Sequence, residues 1–527
     1  MLAASAAILL PMVLIVLMRM QARYAMLIAA LTVALLGSMI WDMASATIAA
    51  SALQGIHRAV TILWILFGAL LFLYVMQASG AVQSIKHGFM KITADMRLQT
   101  VIVAFGFVAM LEGIAGFGTP AAIAIPLLLA LGFRPMLAVV VALVGDSVPT
   151  SFGAIGTPLL VGLENVPAAD MGAVAAFLTI IDGLFVIVLP TALVAILVLW
   201  FGRKSSRLRD IAEILPWAMM VGIVYALTAF IAARTIGVEF ISILSGFVAM
   251  TFAVVTAHYD IATPKHIWRY HEPEPKLAHI KDIANPPSLR RAWLPYVLIV
   301  VLLIVQRVIE PIRTFLVERG DLSAVAILGI DQISSSWSFF LSPGTVLAVA
   351  AIAAAILYRQ RLVIYGETAL NASRKVLVTA LALIPTLIMV QIFVNSGINT
   401  SELVSMPNYI ALFMATYFAP IWIAVSPIVG TITSFIMGST TVSTLTMSPV
   451  QASVASQLSV PLDLAMAQQI SGANAGNMIA VHNVVAAAAV AGLHHQEYRI
   501  IRHALPIVGL YLLCSILSAS LLLVFLS

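Results

Sequence analysis

Apolar stretches near the length needed to cross a bilayer recur from one end of this chain to the other, and that recurrence limits what it can fold into. Where lipid is the solvent, a segment of about 20 such residues satisfies its backbone by winding into a helix. Of the 527 residues, 62% are hydrophobic and 9% charged, and the mean hydropathy is +1.08. A soluble domain carries about 25% charge, so this chain cannot cover itself with a water-compatible surface. The expected class is an all-α polytopic membrane protein. A soluble enzyme is excluded, and so is a disulfide scaffold, since Cys514 is alone. A nucleic-acid binder is excluded too, because the 27 Lys and Arg are scattered among loops.

Twelve spans are expected, near 2–18, 24–41, 59–79, 135–163, 171–200, 213–232, 236–257, 292–309, 344–358, 376–396, 461–493 and 504–526. Two further apolar segments, 99–132 and 418–456, carry Gly and polar residues at their centres and read as re-entrant hairpins. The first apolar run lacks a basic flank ahead of it, which favours a retained first helix with its N-terminus outside. The longest polar run, 257–291, is a Pro-rich connector of mixed charge. With Arg19 and Arg23 cytoplasmic, 22 of the 27 Lys and Arg share that side, leaving Arg58, Arg234, Arg307, Arg313 and Arg319 outside. This bias is the one expected of inner-facing loops. It places Arg134 inside, with Glu164, Asp170 and both chain ends outside.

The two interrupted regions repeat one another. Ser79-Gly80 and Ser396-Gly397 each close a span, Gly118 and Gly438 mark the two tips, and Gly156 and Gly476 each follow their tip by 38 residues. Pro135 and Pro461 open the next spans, and the charge-derived topology runs the two halves in opposite directions, as inverted repeats do. The chain divides accordingly into N-terminal scaffold helices (1–58), a first repeat (59–200; hairpin 99–132, broken helix 135–163), central scaffold helices and loops (201–375), and a second repeat (376–527; hairpin 418–456, broken helix 461–493).

Gly, Pro, Ser and Thr crowd residues 111–160, and Ser, Thr and Asn crowd 426–449 and 471–485. Helix breaks at membrane depth survive only where protein or a watery cavity satisfies the freed backbone. Half-helices starting near Thr119 and Thr157 present N–H groups and a positive dipole end to an anion. Hydroxyls and amides in the second region can hold a carboxylate or a cation. Kinked helices packed through small residues would explain one such region, but two at matched positions point to a binding site.

The strings GFGTPAAI (116–123), SFGAIGTP (151–158) and GNMIAVHNVVAA (476–487) resemble the lactate permease family of bacterial inner-membrane transporters, over essentially the whole chain. The resemblance implies proton-coupled uptake of L-lactate, D-lactate and glycolate, with no cofactor. It also implies an elevator-type movement of a hairpin-bearing domain against a dimeric scaffold in the lipid bilayer. Residue roles are read from this chain itself. Thr119, Ser151, Thr157, Ser439, Thr440, Asn477 and His482 are candidate substrate ligands, because tips and breaks are where open backbone meets a carboxylate.

Ionisable groups inside the apolar runs are few, and an isolated charge there costs at least about 2.5 kcal/mol. Asp146, at the first break, is the leading proton acceptor, against a helix-capping role. Glu112 is the second, with Arg134 as its partner if the hairpin arms bring them together. Asp182 reads as a structural hydrogen-bonding residue. His482 could donate to a carboxylate or brace the second break. Sodium is the rival cation, through Ser471, Asn474 and the carbonyls of 472–476. His258, His266, His271 and His279 lack metal-ligand spacing. A channel needs no titratable groups beside its breaks. An intramembrane enzyme would need a His-Glu-x-x-His pair or two facing aspartates, and neither pattern is present. No phosphate-binding Gly-Lys-Ser/Thr loop occurs to use ATP.

Overall fold

In lipid a backbone N–H can pair only within its own helix or a closed barrel, and this chain takes the helical solution throughout. The computed structural model describes every residue except 1–2, 15–17, 19, 21, 91, 117–118, 202–205, 270–285, 494–495 and 527. Among the described residues, eight helices are long and apolar enough to cross a membrane, or nine when one pair bent by 54° counts as a single span. Three apolar helices are shorter, including Met171–Ile181. The apolar run 2–18 contributes a helix of only seven residues, Ala6–Met12, within its described part.

The chain forms two compact units. One comprises residues 1–81, 285–420 and 445–459. Its long helices Ser45–Ala78 and Leu362–Val394 lie along each other, with Ala22–Met39 and Pro343–Leu357 packed beside them. Glycines let backbones approach: a Cβ on Gly55 would lie 2.7 Å from the backbone of Ile388. Leu27, Leu31 and Leu35 form an exposed stripe at helical spacing, the face such a helix offers to lipid. A loop is pinned to the Ser45–Ala78 helix by His57, whose Nδ1 and Nε2 meet the Ser335 hydroxyl and the Leu322 carbonyl at 2.9 Å each.

The other unit comprises residues 82–284, 421–444 and 460–527. Its helices are α1 (Met96–Ile114), α2 (Thr119–Ala130), α3 (Pro135–Gly145), α4 (Gly153–Leu160), α5 (Met171–Ile181), α6 (Gly183–Phe201), α7 (Arg207–Thr235) and α8 (Ile241–His258). They are followed by α9 (Trp422–Met437), α10 (Thr440–Gln457, which continues into the first unit), α11 (Leu462–Asn477), α12 (Val481–Val490) and α13 (Glu497–Leu526). The segment 99–132 is thus a helix, a turn at Gly116 and a second helix. Its first arm is the fully buried α1, 19 residues long and long enough to cross alone, because the apolar run TVIVAFGFVAML precedes the turn. Thr100–Phe107 within it is wound as a π-helix, a winding common near functional sites.

Two breaks shape this unit. After α3, residues 146–152 make a turn and one 3-10 segment before α4, where Ala154, Ile155 and Gly156 have φ of 42°, 59° and 76°. After α11, residues 478–480 interrupt the helix ahead of α12. The helical ladder continues from α5 to α6 through Asp182, whose N–H donates to Leu178 and whose carbonyl accepts from Val186. The α3 helix begins where the Arg134 guanidinium lies 4.7 Å over the Phe201 ring, at the end of α6. The α11 helix begins at the opposite end, where Asp463 accepts from the Asp170 N–H at 3.0 Å ahead of α5. The two broken helices therefore start from opposite ends of the same α5–α6 rod.

At the Arg134 end a fully buried arginine ties three segments together. Arg97 pairs with Asp95 at 2.8 Å and donates to the carbonyls of Asp210 at 3.0 Å and His266 at 2.8 Å. The described part of the 257–291 connector is thereby fastened, with Trp268 donating to Asp210.

The α9 and α11 helices pack at backbone distance through Gly430, Gly472 and Gly476. A Cβ on Gly472 would stand 2.6 Å from the Cα of Pro427. Gly472→Val is expected to abolish the monodisperse peak of the purified protein in size-exclusion chromatography. Gly509→Ala, whose new methyl would meet nothing within 4 Å, is expected to leave the peak intact.

Candidate functional site

The three acids inside the apolar runs lie in one unit, and the first break joins two of them. Glu112, near the end of α1, and Asp146, just after α3, are both almost fully buried, and their carboxyl groups lie beside each other. Two carboxylates side by side in an apolar interior repel, so a proton on either one relieves the pair. Gly153 makes the pairing possible: a Cβ there would run into the Glu112 carboxyl. Glu112 Oε2 and Asp146 Oδ1 have no further partner. The partner of Glu112 is Asp146, and Arg134 stands over Phe201 instead.

The third acid, Asp182, sits between α5 and α6 at the centre of a polar cluster. Its Oδ1 accepts from the Ser471 hydroxyl at 2.6 Å. Its Oδ2 faces the Ser151 hydroxyl at 3.4 Å and the Asn474 amide at 3.5 Å. Tyr511 lies beside it, held by stacking on Phe185 at 4.1 Å between ring centroids. Ser515 extends the cluster, 2.9 Å from Ser471. Asn474 also donates to Ser151 and, at 3.2 Å, to the Tyr511 hydroxyl, while its Oδ1 is buried without a partner. No ion pair among the described residues involves Asp182, Asp146 or Glu112.

The second break reaches the first through asparagines. Asn477 donates to Thr150 at 3.4 Å and is braced by Asn483, which donates to its Oδ1 at 2.9 Å. Ser151 and Asn477 are thus brought into one neighbourhood by Asn474, one helical turn before Asn477. Thr157 is buried and donates to the Ala154 carbonyl, holding the left-handed turn. Thr440 is buried at the start of α10 with its hydroxyl unpartnered, and Ser439 caps that helix through the Val442 N–H at 3.4 Å. No hydrogen bond links Ser439 or Thr440 to the Ser151 neighbourhood among the described residues. The side chains of Thr119 and His482 lie outside the described residues, although their helices α2 and α12 pack on each other.

Tyr225 of α7 is buried near Ser242 of α8, its ring tilted against Phe105 at 5.2 Å between centroids. Ser242 in turn donates to the Pro149 carbonyl at 2.7 Å. Reading the sequence for breaks leaves Asp182 as a structural hydrogen-bonding residue and passes over Tyr511, Ser515 and Tyr225. Spacing was the available signal: Ser471/Asn474 and Tyr511/Ser515 each fall on one helical face, turned toward an acid inside an apolar run.

Removing Glu112 would strand Asp146, since an unsatisfied buried polar group costs about 1–3 kcal/mol. Glu112→Leu is therefore expected to melt well below Glu112→Gln, which keeps an amide partner for Asp146, in thermal unfolding of the detergent-purified protein. Equal melting of the two variants would show that the pair contributes nothing.

A family profile described as L-lactate permease matches residues 1–526. The chain is 27% identical over 490 residues to "Putative L-lactate permease" of Haemophilus influenzae, covering 86% of each. It is 26% identical to "L-lactate permease" of Bacillus subtilis, over 86% of this chain and 83% of that one. It is 25% identical to "Glycolate permease GlcA" of Escherichia coli, over 84% and 81%. The solved YdaH transporter of Alcanivorax borkumensis aligns with a TM-score of 0.42 at 13% identity, over 87% of this chain and 84% of that one.

Proposed function

Because the chain belongs to the L-lactate permease family of multi-pass bacterial inner-membrane transporters, we propose that it carries L-lactate, D-lactate and glycolate into the cell together with protons. One observation carries this reading. Two broken helices bring serine, threonine and asparagine side chains together beside three buried acids that form no ion pair among the described residues. Hydroxyl and amide donors suit a carboxylate with an adjacent hydroxyl, and they hold it without a buried arginine or lysine. Ser151, Thr157 and Asn477 are the leading ligands, with Thr119, Ser439, Thr440 and His482 completing the set at the tips and second break.

Lactate bears one negative charge, and carrying it inward against an inside-negative potential costs about 2.3 kcal/mol per 100 mV. A cation must accompany it for accumulation. Two neighbouring buried carboxyl groups cannot both stay ionised without strong repulsion, which supports the Glu112–Asp146 pair as a proton carrier. Sodium, held by Ser471 and Asn474, is the rival. The concentration of all three acids in the second unit supports that unit as the mobile, substrate-bearing part of an elevator and the first as a scaffold that pairs as a dimer.

Reconstitution of the full chain into liposomes tests these points. Ser151→Ala and Asn477→Ala are expected to raise the half-saturating L-lactate concentration about tenfold, the equivalent of one hydrogen bond of about 1.4 kcal/mol. Unchanged affinity in both would move the site elsewhere. Asp146→Asn is expected to exchange lactate but to lose accumulation driven by a pH gradient. Uptake by the unmodified protein that requires sodium at constant pH would reject proton coupling.

A further inference from the structure

The Asp182 cluster has one feature that simple structural bonding leaves unexplained. Three donors, Ser151, Ser471 and Asn474, face a single carboxyl group, while the amide oxygen of Asn474, buried beside it, has no donor at all. The cluster is one hydrogen short. We propose that Asp182 is a proton-binding residue of the transport cycle and that its state sets the hydrogen bonding of Asn474 and Ser151. This rests on the proton-symport reading.

The two amide ends of Asn474 have opposite hydrogen-bonding character, so a half-turn about its last side-chain bond exchanges donor for acceptor. With Asp182 ionised, the Asn474 Nδ2 faces Asp182 Oδ2 and Ser151, as observed. When a proton enters from water, one O–H bond forms on Asp182. That O–H becomes a donor, and the half-turn offers it Asn474 Oδ1 as acceptor. Protonation also ends the demand of Asp182 Oδ2 on the Ser151 O–H, which can then be donated to a substrate carboxylate. On release the proton returns to water on the other side and the amide turns back. The titratable groups facing Asp182 are Tyr511 from α13 and Tyr225 from α7, with Glu112 and Asp146 beyond Tyr225. Ser471 and Asn474 from α11 and Ser151 from the first break complete the shell. None of these is basic, so this shell holds no fixed positive charge against an ionised Asp182.

The test uses the full chain in liposomes with L-lactate, and compares counterflow exchange with accumulation driven by an imposed pH gradient. For Asp182→Asn the loss of accumulation should exceed the loss of exchange by at least tenfold. Asp182→Glu, which keeps a carboxyl, should restore accumulation. If Asp182→Asn accumulates lactate in proportion to its exchange, the proposal is overturned and symport stands. If the unmodified protein fails to accumulate lactate from a pH gradient, the symport reading itself falls. A second measurement needs no variant. Dicyclohexylcarbodiimide attacks protonated carboxyls in apolar surroundings, so treatment of the unmodified protein followed by peptide mass spectrometry should find the adduct on Asp182 together with lost accumulation. An inactivating adduct confined to Glu112 or Asp146, or inactivation with none on Asp182, would overturn the assignment.

Discussion

A carboxyl group deep in an apolar bundle must find donors, a partner or a proton, and the second unit is arranged around meeting that demand three times. Each acid meets it differently. Glu112 and Asp146 lie against each other where the chain breaks between α3 and α4, with no room for a side chain on Gly153. Asp182 draws its donors from two places distant in sequence, at 151 and 471–474, with Tyr511 packed beside them. The breaks, the close α9–α11 contact and the stacking of Tyr511 on Phe185 all serve to deliver those groups.

Much of the helical architecture was legible because lipid imposes it. Apolar length located the C-terminal ends of α6, α7, α8 and α13 closely and their starts less so, and helix-breaking residues located the breaks after Asp146 and Asn477, while the tip expected at Gly118 lies outside the described residues. Span length was less legible. The Ser45–Ala78 helix starts well before the apolar run at 59 because Ser45–His57 carries polar groups that bond within its own unit, Gln54 to the Ser334 carbonyl and His57 to Ser335. Such contacts reach across some 280 residues of chain, so local hydropathy carries no trace of them.

The site was legible in part for the same reason. Ser151 and Asn477 stood out because they flank breaks, and the structure brings their surroundings together. Asp182 read as a structural residue because its sequence neighbours, Ile180, Ile181, Gly183 and Leu184, are all non-polar, while its partners lie 31 to 292 positions away. A single acid in an apolar helix says that a partner exists somewhere. It cannot say which of the many Ser, Asn and Tyr residues in a chain this long that partner is.

The left-handed turn at Ala154–Gly156 has a consequence for how this unit can deform. Glycine would adopt those angles freely, whereas alanine and β-branched isoleucine reach them only in a narrow basin flanked by steep walls. Two of the three positions are therefore occupied by residues that resist torsion in both directions. The corner behaves as a rigid bracket, not as a pivot. It holds the Glu112–Asp146 pair, Thr157 and the start of α4 at fixed mutual distances, so rearrangement must find its compliance outside the bracket. Geometry at the bracket is then preserved while its surroundings change, as a part machined to hold tolerance would be.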